Sequence, residues 1–401
     1  MMTTNKHARA TFIYSISRVF ERAAFFGART LISIYIIDTI YSNSLTKAAE
    51  LFSWFGIALI AAKIIGGLLG DLTKKSKLIL LIGLFIQTLG CFALASQTTP
   101  LDISGIFLLA LGAGLYDPNV LAQIARHNIK RPKLLDAAFT IYFSATNIGA
   151  FCGVLICGLL YEKYPVLAFV VAGGFTVIAA LILLLWKEEK LDLSEPDLQP
   201  KTQKKISLLI TFILGTALLT SLIGIATIAL SYINPYLNSI HTEDSLFWPQ
   251  FEGGISIGLT LIAAIVWTFL YFNQVKKLLI GYLSVIIGFT LAYLFIGSNS
   301  GNLKAIVFII STLIIIAEIH IAPLLLSIIT RVLSPRYLAI AFGLITLPAL
   351  LIDKIVISVY EGIEPTFILG DFLFSLIGAG ILGIAILVLY KVGILPNSEE
   401  S

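Results

Sequence analysis

A chain of 401 residues that is 58% hydrophobic and only 12% charged is not a soluble globular protein, which carries about twice that charged fraction. The formal net charge of +4 decides little by itself. Where the charges lie along so apolar a chain decides more, and the composition is that of an all-α polytopic membrane protein.

The start, Met1-Met2-Thr3-Thr4-Asn5-Lys6, is polar. No short apolar run with a small-residue cleavage site follows it, so the first membrane segment is expected to stay in the protein. A spanning helix needs about 20 mostly apolar residues. Such runs lie near 12–40, 48–70, 78–97, 102–125, 137–160, 165–186, 206–233, 246–273, 278–297, 304–330, 337–360 and 366–391, which predicts twelve spans. Lys and Arg favour cytoplasmic loops. With the N-terminus inside, nineteen of them fall in inside segments, and only Lys47, Lys163 and Lys304 fall outside. Both termini are therefore expected in the cytoplasm.

The first span carries Arg18, Glu21, Arg22 and Arg29. Each charge costs roughly 2.5 kcal/mol or more at a bilayer centre unless it is partnered. On a helix, positions 18, 22, 25 and 29 share one stripe, with Glu21 beside it. That stripe must face a watery cavity or other charges. Four clear intramembrane cations, Arg18, Arg22, Arg29 and Lys63, match four acids, Glu21, Asp117, Glu252 and Glu318. The balance suits a sealed cavity for a zwitterionic solute; a purely structural charge network is the alternative. Asp38 and Asp371 read as rim residues, Asp353-Lys354 as self-neutralising neighbours, and His320 as a packing histidine. Cys91, Cys152 and Cys157 lie in apolar runs and read as small buried side chains, with no metal spacing or disulfide framework.

After the second span comes Gly66-Gly67-Leu68-Leu69-Gly70-Asp71-Leu72-Thr73-Lys74-Lys75-Ser76-Lys77. The glycines allow close helix approach. Asp71 can dock on a neighbouring helix N-terminus, whose partial positive charge favours it. Gly67, Asp71 and Lys75 are the candidate gating positions. Further on, the polar stretch 187–205, with Pro196 and Pro200, separates a six-span half at 1–186 from another at 206–401. Two such halves joined by a cytoplasmic linker suggest the major facilitator architecture, with a site at mid-membrane between the halves. The loop after the second span resembles that superfamily's loop signature.

Four stretches together resemble the proton-dependent oligopeptide transporter family, as a divergent bacterial-type member. Glu21-Arg22-Ala23-Ala24-Phe25-Phe26-Gly27 is similar to its Glu-x-x-Glu-Arg-Phe-x-Tyr-Tyr-Gly helix, and Arg29 matches an arginine kept there. Gly112-Ala113-Gly114-Leu115-Tyr116-Asp117-Pro118-Asn119 is similar to Gly-x-Gly-x-x-Lys-Pro-Asn. Phe139-Thr140-Ile141-Tyr142-Phe143-Ser144-Ala145-Thr146-Asn147-Ile148-Gly149 is similar to Phe-Ser-x-Phe-Tyr-x-x-Ile-Asn-x-Gly. The run from Glu318 through Pro323 to Ser327 is similar to a tenth helix reading Glu-x-x-x-x-Pro-x-x-x-Ser.

Two positions depart from that pattern. The family's first glutamate falls on Arg18, and its fourth-helix lysine on Asp117. Both charges are reversed, and both residues lie about 10–14 Å in from the cytoplasmic face at 1.5 Å per residue. A swapped ion pair follows, since either charge alone would be strongly disfavoured. Lys63 lies at similar depth and is a rival partner for Asp117 or Glu21.

The resemblance implies proton-coupling roles for Glu21 and Arg22. It implies that Arg29 and Asn147 line the cavity, Arg29 holding a substrate carboxylate, and that Glu318 holds an amine or takes part in protonation. Glu252 falls near an asparagine that contacts a peptide amine. Phe25 and Tyr116 are candidates for shaping the cavity. Arg18, Asp117 and Lys63 join the coupling set, and a proton can ride on Asp117, Glu21 or Glu318, because buried carboxylates can titrate near neutral pH.

The reading is a secondary active transporter rather than an enzyme: no nucleotide loop, nucleophile–base pair or metal cluster is present in the sequence. Proton-coupled symport of di- or tripeptides, or of similar small zwitterionic molecules, is expected. The rivals are an exporter or carrier of another metabolite, and a membrane sensor without flux. The expected partners are a small solute, protons and the lipid bilayer, with no nucleic acid. The expected form is a monomer in a bacterial cytoplasmic (inner) membrane, without cofactor or metal and driven by the proton gradient.

Overall fold

The computed structural model describes residues 2–36, 40, 44–187, 247–270, 273–295 and 303–347. The predicted spans at 206–233 and 366–391, most of that at 337–360, and the linker beyond Lys187 lie outside the described residues, as do Asp38, Asp353, Lys354 and Asp371. Among the described residues every regular element is helical. In chain order they are α1 (Met2–Tyr35), α2 (Leu45–Thr73), α3 (Ser76–Leu94), α4 (Thr99–Asn128), α5 (Pro132–Tyr161) and α6 (Pro165–Leu185). Then come α7 (Phe247–Phe269), α8 (Gln274–Phe295), α9 (Leu303–Val332), a 3-10 turn (Pro335–Tyr337) and α10 (Leu338–Leu344). Seven described helices, α2 to α6, α8 and α9, are long and apolar enough to cross a membrane.

Local chemistry explains the boundaries. α1 starts ahead of the apolar run because no Pro or Gly interrupts its first turns. Ser44 caps α2 by accepting the Lys47 N–H at 3.3 Å. α2 ends on Lys74, whose φ of 56° is left-handed and turns the chain directly into α3. Pro100, Pro132 and Pro165 open α4, α5 and α6, where the missing N–H costs nothing. Inside α4, Pro118 breaks the backbone ladder. The next residue, Asn119, donates to Leu115 C=O at 2.9 Å and across to Gly66 C=O at 2.8 Å, tying α4 to α2.

The chain forms two compact units. One contains Met1–Arg131, Ile141–Gln199 and Leu333–Leu344; the other contains Pro132–Thr140, Pro200–Val332 and Ile345–Ser401. In the first, small residues let backbones touch. A Cβ at Gly90 would lie 2.9 Å from Gly105 C=O, and one at Gly153 only 2.1 Å from Ala23 C=O. The second contact seats α5 hard against the charged half of α1. An aromatic and aliphatic core with Phe25, Leu31, Tyr35, Phe55, Leu109 and Phe169 fills the far side. Leu159, Leu184 and Leu185 stay largely exposed on the outside, as lipid-facing residues of a span do. In the second unit, the first turns of α5 pack with α8 and α9.

Candidate functional site

α1 brings Arg18, Glu21 and Arg22 to the interior of the first unit, where all three are buried. Arg22 meets Glu21 in a two-bond fork, Nε to Oε2 and Nη2 to Oε1, each 2.7 Å. Arg18 Nη1 adds a third bond to Glu21 at 3.1 Å. Its other terminal nitrogen, Nη2, reaches Asp117 Oδ1 on α4 at 2.6 Å. Arg18 Nε donates to Thr146 on α5 at 3.1 Å, and its guanidinium lies 4.7 Å from the centre of the Tyr142 ring. Tyr142 in turn donates its hydroxyl to Asp117 Oδ1 at 3.0 Å. Lys63 on α2 takes the remaining oxygen, Oδ2, at 2.8 Å. The Arg22 guanidinium lies 4.5 Å from the centre of the Phe25 ring, a cation–π contact. Tyr116 is fully buried and hydrogen-bonded to Ser17 at 3.0 Å.

Each carboxylate thus receives several donors, the condition under which buried ions are tolerated. Among the described residues, Arg18, Arg22 and Lys63 stand against Glu21 and Asp117, three cations to two carboxylates.

Asp71 forms a second site in the same unit. It accepts from Arg126 Nη2 at 2.6 Å and from the N–H groups of Ile340 at 2.9 Å and Ala339 at 3.3 Å. Arg126 also bonds Ser76 at 2.8 Å and Pro335 C=O at 3.0 Å. Asp71 therefore sits on the start of α10, where helix N–H groups are unsatisfied. Gly67 permits the approach: a Cβ there would lie 2.4 Å from Ala339 C=O. Lys75 is exposed at the α2–α3 turn.

Arg29 is half-buried, 5.7 Å from the Phe52 ring centre. Asn147 is half-buried on α5, and Glu318 half-buried on α9 in the second unit. Glu252 is on α7, and its side chain lies outside the described residues. His320 bonds Ile316 C=O at 2.7 Å and packs edge-on against Trp267. Cys91, Cys152 and Cys157 are free thiols.

One buried group was missed. In the second unit, Asp136, near the start of α5, accepts from Ser327 at 2.5 Å, Gln274 at 2.7 Å and Lys277 at 2.9 Å, with Arg331 at 3.6 Å. By sequence Lys277 belongs to a charged loop; it is instead a buried first-turn residue of α8, 4.7 Å from the Trp267 ring centre. The available signal was an internal repeat. Pro132-Lys133-Leu134-Leu135-Asp136-Ala137-Ala138-Phe139 matches Pro335-Arg336-Tyr337-Leu338-Ala339-Ile340-Ala341-Phe342, so Asp136 occupies the position of Ala339, on whose N–H Asp71 docks.

A bundle of apolar helices around a buried ionic cluster defines the class, a polytopic membrane carrier. The major facilitator superfamily pattern matches residues 15–349, and the chain belongs to that superfamily. The fold agrees with two solved carriers. The proton:xylose symporter XylE bound to 6-bromo-6-deoxy-D-glucose aligns with a TM-score of 0.74 at 15% identity, over 99% of this chain and 97% of its own. FucP in its outward conformation aligns with a TM-score of 0.68 at 14% identity, over 94% and 98%. In sequence the chain is similar to dipeptide and tripeptide permease A of Pectobacterium carotovorum subsp. carotovorum (strain PC1), 26% identical over 68% of this chain and 56% of the relative. The permease A of Escherichia coli (strain K12) is 25% identical over 55% of this chain and 44% of its own length. The chain thus spans about half the length of the curated relatives it matches. These permeases are what the chain is similar to in sequence, at about 26% identity.

Proposed function

We propose that the protein is a proton-coupled carrier of di- and tripeptides or similar small zwitterionic molecules, working by alternating access of two six-helix bundles in a bacterial inner membrane. The observation that carries the reading is the buried cluster of Arg18, Glu21, Arg22, Lys63 and Asp117. Intramembrane charges mark ion and substrate pathways, and this cluster is built from the segments that resemble the peptide permeases. In this reading Glu21, Arg22, Arg18, Asp117 and Lys63 handle the proton. Arg29, Asn147, Glu318, Glu252, Phe25 and Tyr116 face the solute. Asp71, with Gly67 and Lys75, latches the cytoplasmic end.

A second reading rests on the reversed charges at Arg18 and Asp117, which favour a carrier of a different metabolite, inward or outward. Uptake of labelled dialanine into proteoliposomes, with and without an inward proton gradient, separates the two. Gradient-driven accumulation supports peptide symport. No accumulation by folded protein refutes it and leaves the second reading.

A further inference from the structure

We propose that the first unit carries a binding site for an anionic phospholipid where the early part of α1, the start of α3 and the end of α6 meet. Arg9, Lys77 and Lys187 take the headgroup phosphate. The site lies apart from the buried charge cluster and does not depend on the transport reading.

Trp186 is the centre of the site, at the point where α6 stops. Its backbone turns extended there, at φ −80° and ψ 117°. The Lys77 ammonium, in the first turn of α3, donates to the Trp186 carbonyl oxygen. The Arg9 guanidinium, on α1, lies 5.3 Å from the centre of the Trp186 ring, a cation–π contact. Lys187 follows directly and is exposed, as is Arg9. Three cations thus gather on one helix end. A helix C-terminus supplies only about half a negative charge, too little for three. Among the described residues, no carboxylate forms an ion pair with any of them.

The neighbouring surface fits a lipid rather than a free anion. Phe12 lies about one turn beyond Arg9, while Leu185 and Leu78 adjoin Trp186 and Lys77 on the membrane side. All three are exposed apolar side chains. Cations, then a tryptophan, then apolar side chains match the order of phosphate, interface and acyl chain along a phospholipid. A cation–π contact uses the charge of Arg9 but none of its N–H donors, which suit phosphate oxygens. The Lys77 ammonium likewise has donors beyond the one given to Trp186.

The test uses the full chain, purified in a neutral detergent at constant ionic strength and read by thermal unfolding. Dioleoyl phosphatidylglycerol is expected to raise the midpoint saturably, and further than dioleoyl phosphatidylcholine does. Inorganic phosphate is expected to leave it unchanged. The half-effect concentration of phosphatidylglycerol is expected to rise about tenfold or more in the Arg9→Gln, Lys77→Gln double variant, since each basic residue near an anionic surface is worth about fivefold. It is expected to stay near the native value in the charge-keeping Arg9→Lys, Lys77→Arg variant. Equal rises with the two lipids overturn the proposal, and would mean that Glu188 and Glu189, next in the chain, neutralise the cations. An unchanged half-effect concentration in the glutamine variant overturns it as well. A rise with inorganic phosphate equal to that with phosphatidylglycerol shows a free-anion site and overturns the lipid. Should the glutamine variant not fold, Lys187→Gln, at an exposed position, is read by native mass spectrometry. Fewer phosphatidylglycerol adducts than in the unmodified protein are expected; an unchanged number overturns the site.

Discussion

Replacing Asp117 with Asn leaves Arg18 and Lys63 facing a neutral amide. The native carboxylate meets Arg18 at 2.6 Å and Lys63 at 2.8 Å. Without it the cluster holds three cations against Glu21 alone. Breaking one partner out of a buried ion pair costs about 3–5 kcal/mol. For a unit of this size each kcal/mol moves the midpoint by about 2–4 °C, so a fall of roughly 6–20 °C is expected. Adding Lys63→Met to Asp117→Asn removes one stranded cation and restores the native excess of a single positive charge. The double variant is therefore expected to melt above the Asp117→Asn single. The assay is thermal unfolding of purified protein in one detergent at one scan rate, read as a double-mutant cycle. A fall worth less than about 1 kcal/mol in the single, within the range of exposed pairs, would refute the account. Strictly additive losses in the double would do the same.

Asp136→Asn strands buried Lys277 in the same way and is expected to cost about 3–5 kcal/mol, partly recovered by Lys277→Met; a neutral single variant would show that the group is solvated. Gln87 is fully buried in α3, and neither polar atom of its amide has a hydrogen-bond partner among the described residues. Gln87→Met keeps the length of the side chain and is expected to stabilise by about 1 kcal/mol, so a lower unfolding midpoint would mean that the amide is satisfied after all. Glu318→Gln is expected to weaken uptake of solutes with a free amine and to spare N-acetylated ones; equal uptake of both removes Glu318 from the site. Gly67→Leu forces a side chain into Ala339 C=O and is expected to raise thiol labelling of an Ala339→Cys variant, measured against the same variant with Gly67 intact.

The Arg18–Asp117 contact was legible because charges inside apolar runs are rare and must find one another. Reversal at both positions relative to one family pattern pointed to the partner. Asp71 was legible from glycines, an acid and a basic run in fixed order. Asp136 was not, because an acid near a helix start beside Lys133 reads as an ordinary complement to the helix dipole. Lys277 was hidden by the rule that assigns basic loop residues to the cytoplasm. Burial of both comes from the packing of α8 and α9 around the start of α5, which no single span encodes. No charge at Tyr142 marks it in the sequence, yet its hydroxyl donates to Asp117 beside Arg18 and Lys63. Lys63 was an open rival for two acids; among the described residues its ion pair is with Asp117.

Lys63, Gly67 and Asp71 recur every four residues along α2, so they share one face and span about 12 Å. α10 lies along that face. Ile340 N–H meets Asp71 at 2.9 Å, and a Cβ at Gly343 would lie 2.6 Å from the carbonyl oxygen of Lys63. The backbone of Lys63 is thus covered by α10, while its side chain holds Asp117 on α4. A transport cycle that frees the Asp71 end must part α10 from the same ridge. Asp117 on α4 holds the same ridge from the other side, through Lys63. The Asp71 and Lys63 contacts thus bear on one helix, and losses in an Asp71→Asn, Lys63→Met double-mutant cycle are expected to be non-additive; strictly additive losses would refute the shared ridge.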